Sequence, residues 1–87
     1  MIKEIIYLPR FDKQYKKLTT EIQEKTEAKE EIFRKNPFEP SLRTHKLSGP
    51  LKDFWVFSIN HTHRIIFKFV DRHKVWFYSI GNHDIYE

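Results

Sequence analysis

At 87 residues the chain has room for one hydrophobic core, hence a single domain over 1–87, near the small end of what folds alone. It has no cysteine, which excludes disulfide staples and thiolate metal sites; with neither a run of membrane-spanning length nor a signal peptide's apolar stretch and cleavage site, it is expected in the cytoplasm, with no membrane partner. Sixteen Lys and Arg against twelve Asp and Glu give a formal charge of +4 and a pI near 9.4, which suits a polyanionic partner, nucleic acid first, although an excess of this size is common among unrelated proteins.

Residues 2–8, β-branched and aromatic and closed by Pro9, read as a strand. Phe11, Tyr15 and Leu18 then recur at spacings of four and three, one face of a helix whose other face carries Lys13, Lys16 and Lys17. Thr20 followed by Gln23 fits a capping box, so a second helix starts there and runs to near Asn36, because Pro37 disfavours a helical residue before it. Its charge run reads as a solvated face. Residues 37–50, with prolines, serines and a glycine, read as a loop. Beyond it come "DFWVFSIN", "HRIIFKFV" and "KVWFYSIG", separated by two and three residues, most simply an antiparallel meander.

In the first of these runs Trp55, Phe57 and Ile59 share one face and Phe54, Val56 and Ser58 the other. Both faces are largely apolar, so both are covered or one binds something. With aromatics at 16% of the chain, eight of them Phe, a few large side chains can build the core. The expected architecture is α+β: an N-terminal strand, a helical hairpin, then an antiparallel meander with the helices packed on one face.

Four positions stand out chemically. Arg64 opens an otherwise apolar strand, where a charge is costly unless paired or bound to an anion; an edge arginine paired with a carboxylate is the plainer reading. His45 lies in the loop before the meander, and loops on a rigid scaffold often carry function, though a surface histidine needs none. His83 and Tyr86 stand three apart in "IGNHDIYE", close enough to face one way if the segment makes a single helical revolution; equally, they are a turn residue and a lid over the sheet. His61 and His63 lack further ligands at metal spacing and read as exposed hairpin imidazoles. No phosphate-binding glycine loop, nucleophile elbow or dinucleotide fingerprint is present, so no cofactor is expected.

The segments "HKLSGPLKDFWVFSINHTHRIIFKF" and "VWFYSIGNHDIY" resemble the RelE/ParE superfamily of small bacterial type II toxins, especially the mRNA-cutting branch that includes RelE, YoeB and YafQ. H-K-L-x-G, H-R-I-I-F and I-G-x-H-D-x-Y, in that order, are specific together. The resemblance implies helices against a sheet whose open face takes RNA, cleavage of mRNA in the ribosomal A site, and a cognate antitoxin forming a hetero-oligomer with the toxin. It assigns Arg64 to the scissile phosphate, His83 to the C-terminal histidine or arginine position, Tyr86 to the terminal aromatic and His45 to the position of a base. RelE carries lysines on the strand that here reads "WVFSIN"; their absence points away from a lysine-driven mechanism and toward histidine, arginine and tyrosine.

Such cleavage uses the substrate's own 2′-hydroxyl as nucleophile, so the protein supplies a base, an acid and a positive charge. Histidine exchanges its proton in the physiological range, and the sequence leaves open which of His45 and His83 is acid and which base. Arg64 presents a fixed cationic fork to phosphate oxygens. Lys46, Lys52, His63 and the helical lysines would hold the RNA or ribosome backbone. The C-terminal segment would be ordered because it closes the site, and a flexible antitoxin segment would cover the site or displace it. A gyrase inhibitor of the ParE kind shares the fold, and a non-catalytic RNA- or ribosome-binding module would share the charge and aromatics.

Overall fold

The computed structural model describes residues 1–86, without the side chains of Asp84 and Tyr86. Strand β1 (Glu4–Tyr7) leads into helix α1 (Pro9–Lys16). Pro9 therefore opens a helix rather than merely closing a strand: at the first helical position its missing N–H costs nothing and its fixed φ is already helical. Helix α2 spans Thr20–Lys35, and its cap is Thr19, whose side chain accepts from the Ile22 N–H at 3.3 Å. Gln23 does not complete a capping box; its amide donates to the Tyr15 carbonyl at 2.9 Å and its own carbonyl accepts from the Tyr15 hydroxyl at 3.4 Å. That exchange ties the two helices together across their short link.

The expected loop holds a 3-10 turn over Pro40–Leu42, a two-residue strand β2 (His45–Lys46) and a second 3-10 turn over Gly49–Leu51. The meander follows as β3 (Trp55–Ser58), β4 (Arg64–Phe69) and β5 (Lys74–Gly81), and the chain closes in a 3-10 turn over His83–Tyr86. The five strands lie in the order β1-β5-β4-β3-β2. All neighbours are antiparallel except β1, which pairs parallel to β5 from Glu4 opposite Lys74 to Tyr7 opposite Phe77, so the sheet is mixed and not a pure antiparallel meander. Among the described residues no helix is long and apolar enough to cross a membrane.

Both helices cover one face, as the apolar spacing requires. Phe33 of α2 is fully buried, its ring 4.7 Å from that of Phe57, 4.9 Å from Phe67 and 5.4 Å from Phe77. Phe11 of α1 packs on Phe77 at 5.4 Å. Phe33 is stacked on Phe57 and meets Phe67 and Phe77 edge-on, the two arrangements that aromatic pairs prefer at these separations. On the far side Val56, Ile66 and Ile85 form a second, smaller buried cluster, flanked by Leu47, Phe54 and Tyr78.

A bulge in β5 sets the two faces apart. Ile66 opposes Ser79 but Phe67 opposes Phe77, leaving Tyr78 as the extra residue. Tyr78 joins the open-face cluster, while Ser79 and Ile80 both serve the helix side, where the Gln14 side-chain carbonyl accepts from the Ser79 hydroxyl at 3.0 Å and the Ile80 N–H at 2.9 Å. A bulge resets the two-residue alternation. Gly81 thereby lands on the open face, directly opposite Arg64.

Candidate active site

Register places the chemistry. His45 opposes Val56, Val56 opposes Ile66, and Arg64 stands between Ser58 and Gly81. Directly opposed residues share a face, so His45 and Arg64 both belong to the face the helices leave open. They lie two strands and two residues apart, roughly 12 Å between Cα atoms at ordinary strand spacing and rise.

His45 is oriented from behind. Its Nδ1 lies 2.9 Å from the Arg43 carbonyl oxygen; a carbonyl only accepts, so Nδ1 carries the proton and Nε2 of the neutral ring is left as the outward acceptor. The Arg43 carbonyl is aimed there because Arg43 sits in the left-handed region, φ 53°, where its N–H closes the Pro40–Leu42 turn on the Pro40 carbonyl at 3.1 Å. Glu39 opens that turn, accepting from the Ser41 N–H at 2.8 Å and from the Ser41 hydroxyl. Those two bonds, and after them the charge of Lys29, hold the Glu39 carboxyl below its ordinary range.

The C-terminal turn folds onto the same face. Ile85 is buried against Val56 and Ile66, and the Ile85 N–H donates to the Asn82 carbonyl at 3.1 Å. Gly81 makes this fold-back possible, since a Cβ there would stand 2.5 Å from the Ile85 Cγ2. His83 opens the turn, exposed, two residues beyond the glycine opposite Arg64. The segment expected to close the site thus packs on the open face through Ile85. Tyr86 ends the turn, and its expected contact with substrate lies outside the described side chains.

Other expected contacts are dispersed. Lys46 opposes Trp55, and its Nζ stands 6.0 Å above that ring on the helix side, away from His45. Lys52 is exposed after the Gly49–Leu51 turn. His63 is half-buried in the β3–β4 hairpin, its Nδ1 2.8 Å from the Thr62 hydroxyl. Among the described residues no three His, Cys, Asp or Glu side chains are grouped to hold a metal ion.

Four open-face residues escaped the sequence reading of the site. Phe54 and Tyr78 pack at 5.0 Å between ring centroids, the Arg10 guanidinium lies 5.1 Å above Tyr78 with Nη1 3.3 Å from its hydroxyl, and Lys68 Nζ stands 5.8 Å above Phe54. Alternation along β4 from Arg64 would have found Lys68. The same alternation along β5, on the face opposite Val75 and Phe77, would have found Tyr78; Arg10 was hidden by its position on a helix that reaches round the sheet only in three dimensions.

No family model matches the sequence and no curated protein matches it. Solved structures do. YafQ from E. coli strain BL21(DE3) is 17% identical with a TM-score of 0.79, the match covering 99% of this chain and 98% of that one. A YoeB/ParE toxin from Agrobacterium tumefaciens is 14% identical with a TM-score of 0.78, covering 93% and 99%. The YoeB-YefM complex from Staphylococcus aureus supplies a third, 22% identical with a TM-score of 0.75, covering 95% and 98%. Identities this low speak to fold and not to activity. By architecture, the chain shares the fold of these solved YafQ and YoeB toxins.

Proposed function

We propose that this protein is the toxin of a type II toxin–antitoxin pair, an endoribonuclease that cuts mRNA in the ribosomal A site of the cytoplasm without a metal cofactor. The observation that carries this reading is the orientation of His45: its Nδ1 proton is engaged by the Arg43 carbonyl, and its ring shares the open face with Arg64. His45 Nε2 takes the proton of the substrate 2′-hydroxyl as the 2′-oxygen bonds to phosphorus. The bond from phosphorus to the 5′-oxygen breaks, and that oxygen takes a proton from His83. The products are a 2′,3′-cyclic phosphate and a free 5′-hydroxyl. Arg64 stabilises the charge that grows on the phosphoryl oxygens in between.

Phe54 and Tyr78 offer ring faces for unstacked bases, with Arg10 and Lys68 beside them for the backbone. Tyr86 stacks on a base or orients the phosphate through its hydroxyl, alternatives that Tyr86→Phe separates. The similarity to the YoeB-YefM complex supports an antitoxin partner, whose flexible segment covers the open face and orders on binding. The test is induced expression of wild type and His45→Ala in bacteria with mRNA 5′ ends mapped by primer extension. New ends inside reading frames with wild type alone support the reading. Growth arrest without cleavage, equal in both proteins, overturns it in favour of gyrase inhibition or simple binding.

A further inference from the structure

At the end of the sheet, beside Arg64, lies a cavity of about 300 Å³ with Lys29, Arg43, Ser58, Asn60, His61 and Arg64 in its lining. At ~30 Å³ per water it has room for a phosphate group with several waters. Three basic side chains from three separate elements converge there: Lys29 from α2, Arg43 from the end of the Pro40–Leu42 turn and Arg64 from β4. No carboxylate lines it among the described residues. Glu39, which feels the charge of Lys29, is engaged by the amide and hydroxyl of Ser41. Asn60 spends its side-chain oxygen on the Thr62 and His63 N–H groups at 2.9 and 2.7 Å, so the group it has left to offer is the amide NH₂, a donor.

We propose that this cavity seats a second phosphate of the bound RNA strand, one adjoining the phosphate to be cut. The inference rests on the ribonuclease reading and extends it, because Arg64 and the residue opposite it, Ser58, form the boundary between cavity and open face. Arg43 serves both sides. Its carbonyl orients His45, and its side chain lines the cavity. Arginine holds a left-handed φ of 53° here, a conformation that costs a residue with a Cβ and that glycine adopts freely.

That conformation also supplies a clean variant. Arg43→Gly keeps the carbonyl that orients His45 and suits the backbone, so the protein folds at least as well. Binding is read by fluorescence anisotropy of the purified protein with a labelled, fully 2′-O-methylated single-stranded RNA decamer, which has no 2′-hydroxyl to attack, across a KCl series. Each phosphate contact on a single strand contributes about 0.7 to the slope of log affinity against log salt. Arg43→Gly and Lys29→Gln should each lower the slope by about that amount. Lys74→Gln, at the far end of β5 beside Glu4, should leave it unchanged. Wild-type slopes in both cavity variants, or slopes lowered equally by Lys74→Gln, overturn the proposal, as does a wild type that does not bind the decamer. Cleavage by a protein whose cavity variants keep the wild-type slope removes the second phosphate seat and leaves the ribonuclease; a wild type that binds through the cavity and cuts nothing does the reverse.

Discussion

Replacing Gly81 by alanine tests whether the C-terminal turn belongs to the active site. The new Cβ would stand 2.5 Å from Ile85 Cγ2. Ile85 cannot yield cheaply, because its Cγ2 branches directly from Cβ and β-branched side chains are stiff at χ1. The easier response is for the turn to lift away from Val56 and Ile66. What is then lost is bounded by the burial of one isoleucine, about 1.5–3 kcal/mol, and a loss of about 2 kcal/mol shifts the ratio of docked to lifted turn roughly 30-fold. The phenylalanine core on the other face is untouched, so Gly81→Ala should still fold and unfold cooperatively, its Tm lowered by at most about 8–16 °C for a 2 kcal/mol loss, while the amides after Gly81 lose exchange protection. Cleavage should fall with docking, since His83 travels with the turn. In an Ile85→Ala background, where the obstructing methyl is gone, Gly81→Ala should cost little more; this non-additivity is the signature of direct contact. Full protection of the turn and parental cleavage in Gly81→Ala would refute the reasoning.

Phe33→Ala should cost about 3–5 kcal/mol in urea unfolding, the range for a large side chain removed from a close-packed core, because Phe33 is fully buried among Phe57, Phe67 and Phe77. Gln14→Leu strands the buried Ser79 hydroxyl and Ile80 N–H at about 1–3 kcal/mol each; adding Ser79→Ala should restore part of the loss. Tyr7 should ionise late in an alkaline absorbance titration: burial first, then hydrogen bonding to Glu30 and its charge, push its phenol from 10.0 up to about 12. The folded state therefore holds that proton more tightly, the stability it represents is complete below 10 and drains as pH rises toward 12, and Tyr7→Phe should remove both the late absorbance step and that part of the alkaline loss.

How much of this was legible in the sequence follows from which interactions are local. The three runs after residue 52 matched β3, β4 and β5 closely, because two-residue alternation and short connections are properties of neighbouring residues. The faces expected of Trp55 and Val56 also held, as did the end of α2 before Pro37. What failed was what depends on distant partners. The strand His45–Lys46 has only two residues and exists because β3 offers it an edge. The parallel pairing of β1 with β5 joins the two ends of the chain and has no local signal. Pro9 marks a helix start as readily as a strand end, and Thr19 won the cap because Gln23 was drawn to Tyr15.

For the proposed site, His45, Arg64 and the C-terminal turn were singled out by residue type and resemblance, while their common face came only with register. Lys46 illustrates the limit: one residue after His45, it points to the other side of the sheet. Gly81 reaches the open face through a bulge that no periodicity in "KVWFYSIG" announces. The cationic cavity joins residues from positions 29 to 64 of the chain, a grouping that only the fold creates.

The central claim is that His45 and Arg64 cut RNA together on the open face. It is tested most directly by single-turnover cleavage of ribosome-bound mRNA with wild type, His45→Ala and Arg64→Ala, all confirmed folded, with the product ends identified chemically. The account predicts 2′,3′-cyclic phosphate and 5′-hydroxyl ends from wild type, and rates lowered roughly 10²- to 10⁴-fold by His45→Ala, with Arg64→Ala also slowed while it still binds RNA. Cleavage at the parental rate by either folded variant, or products bearing 5′-phosphate ends, would contradict it.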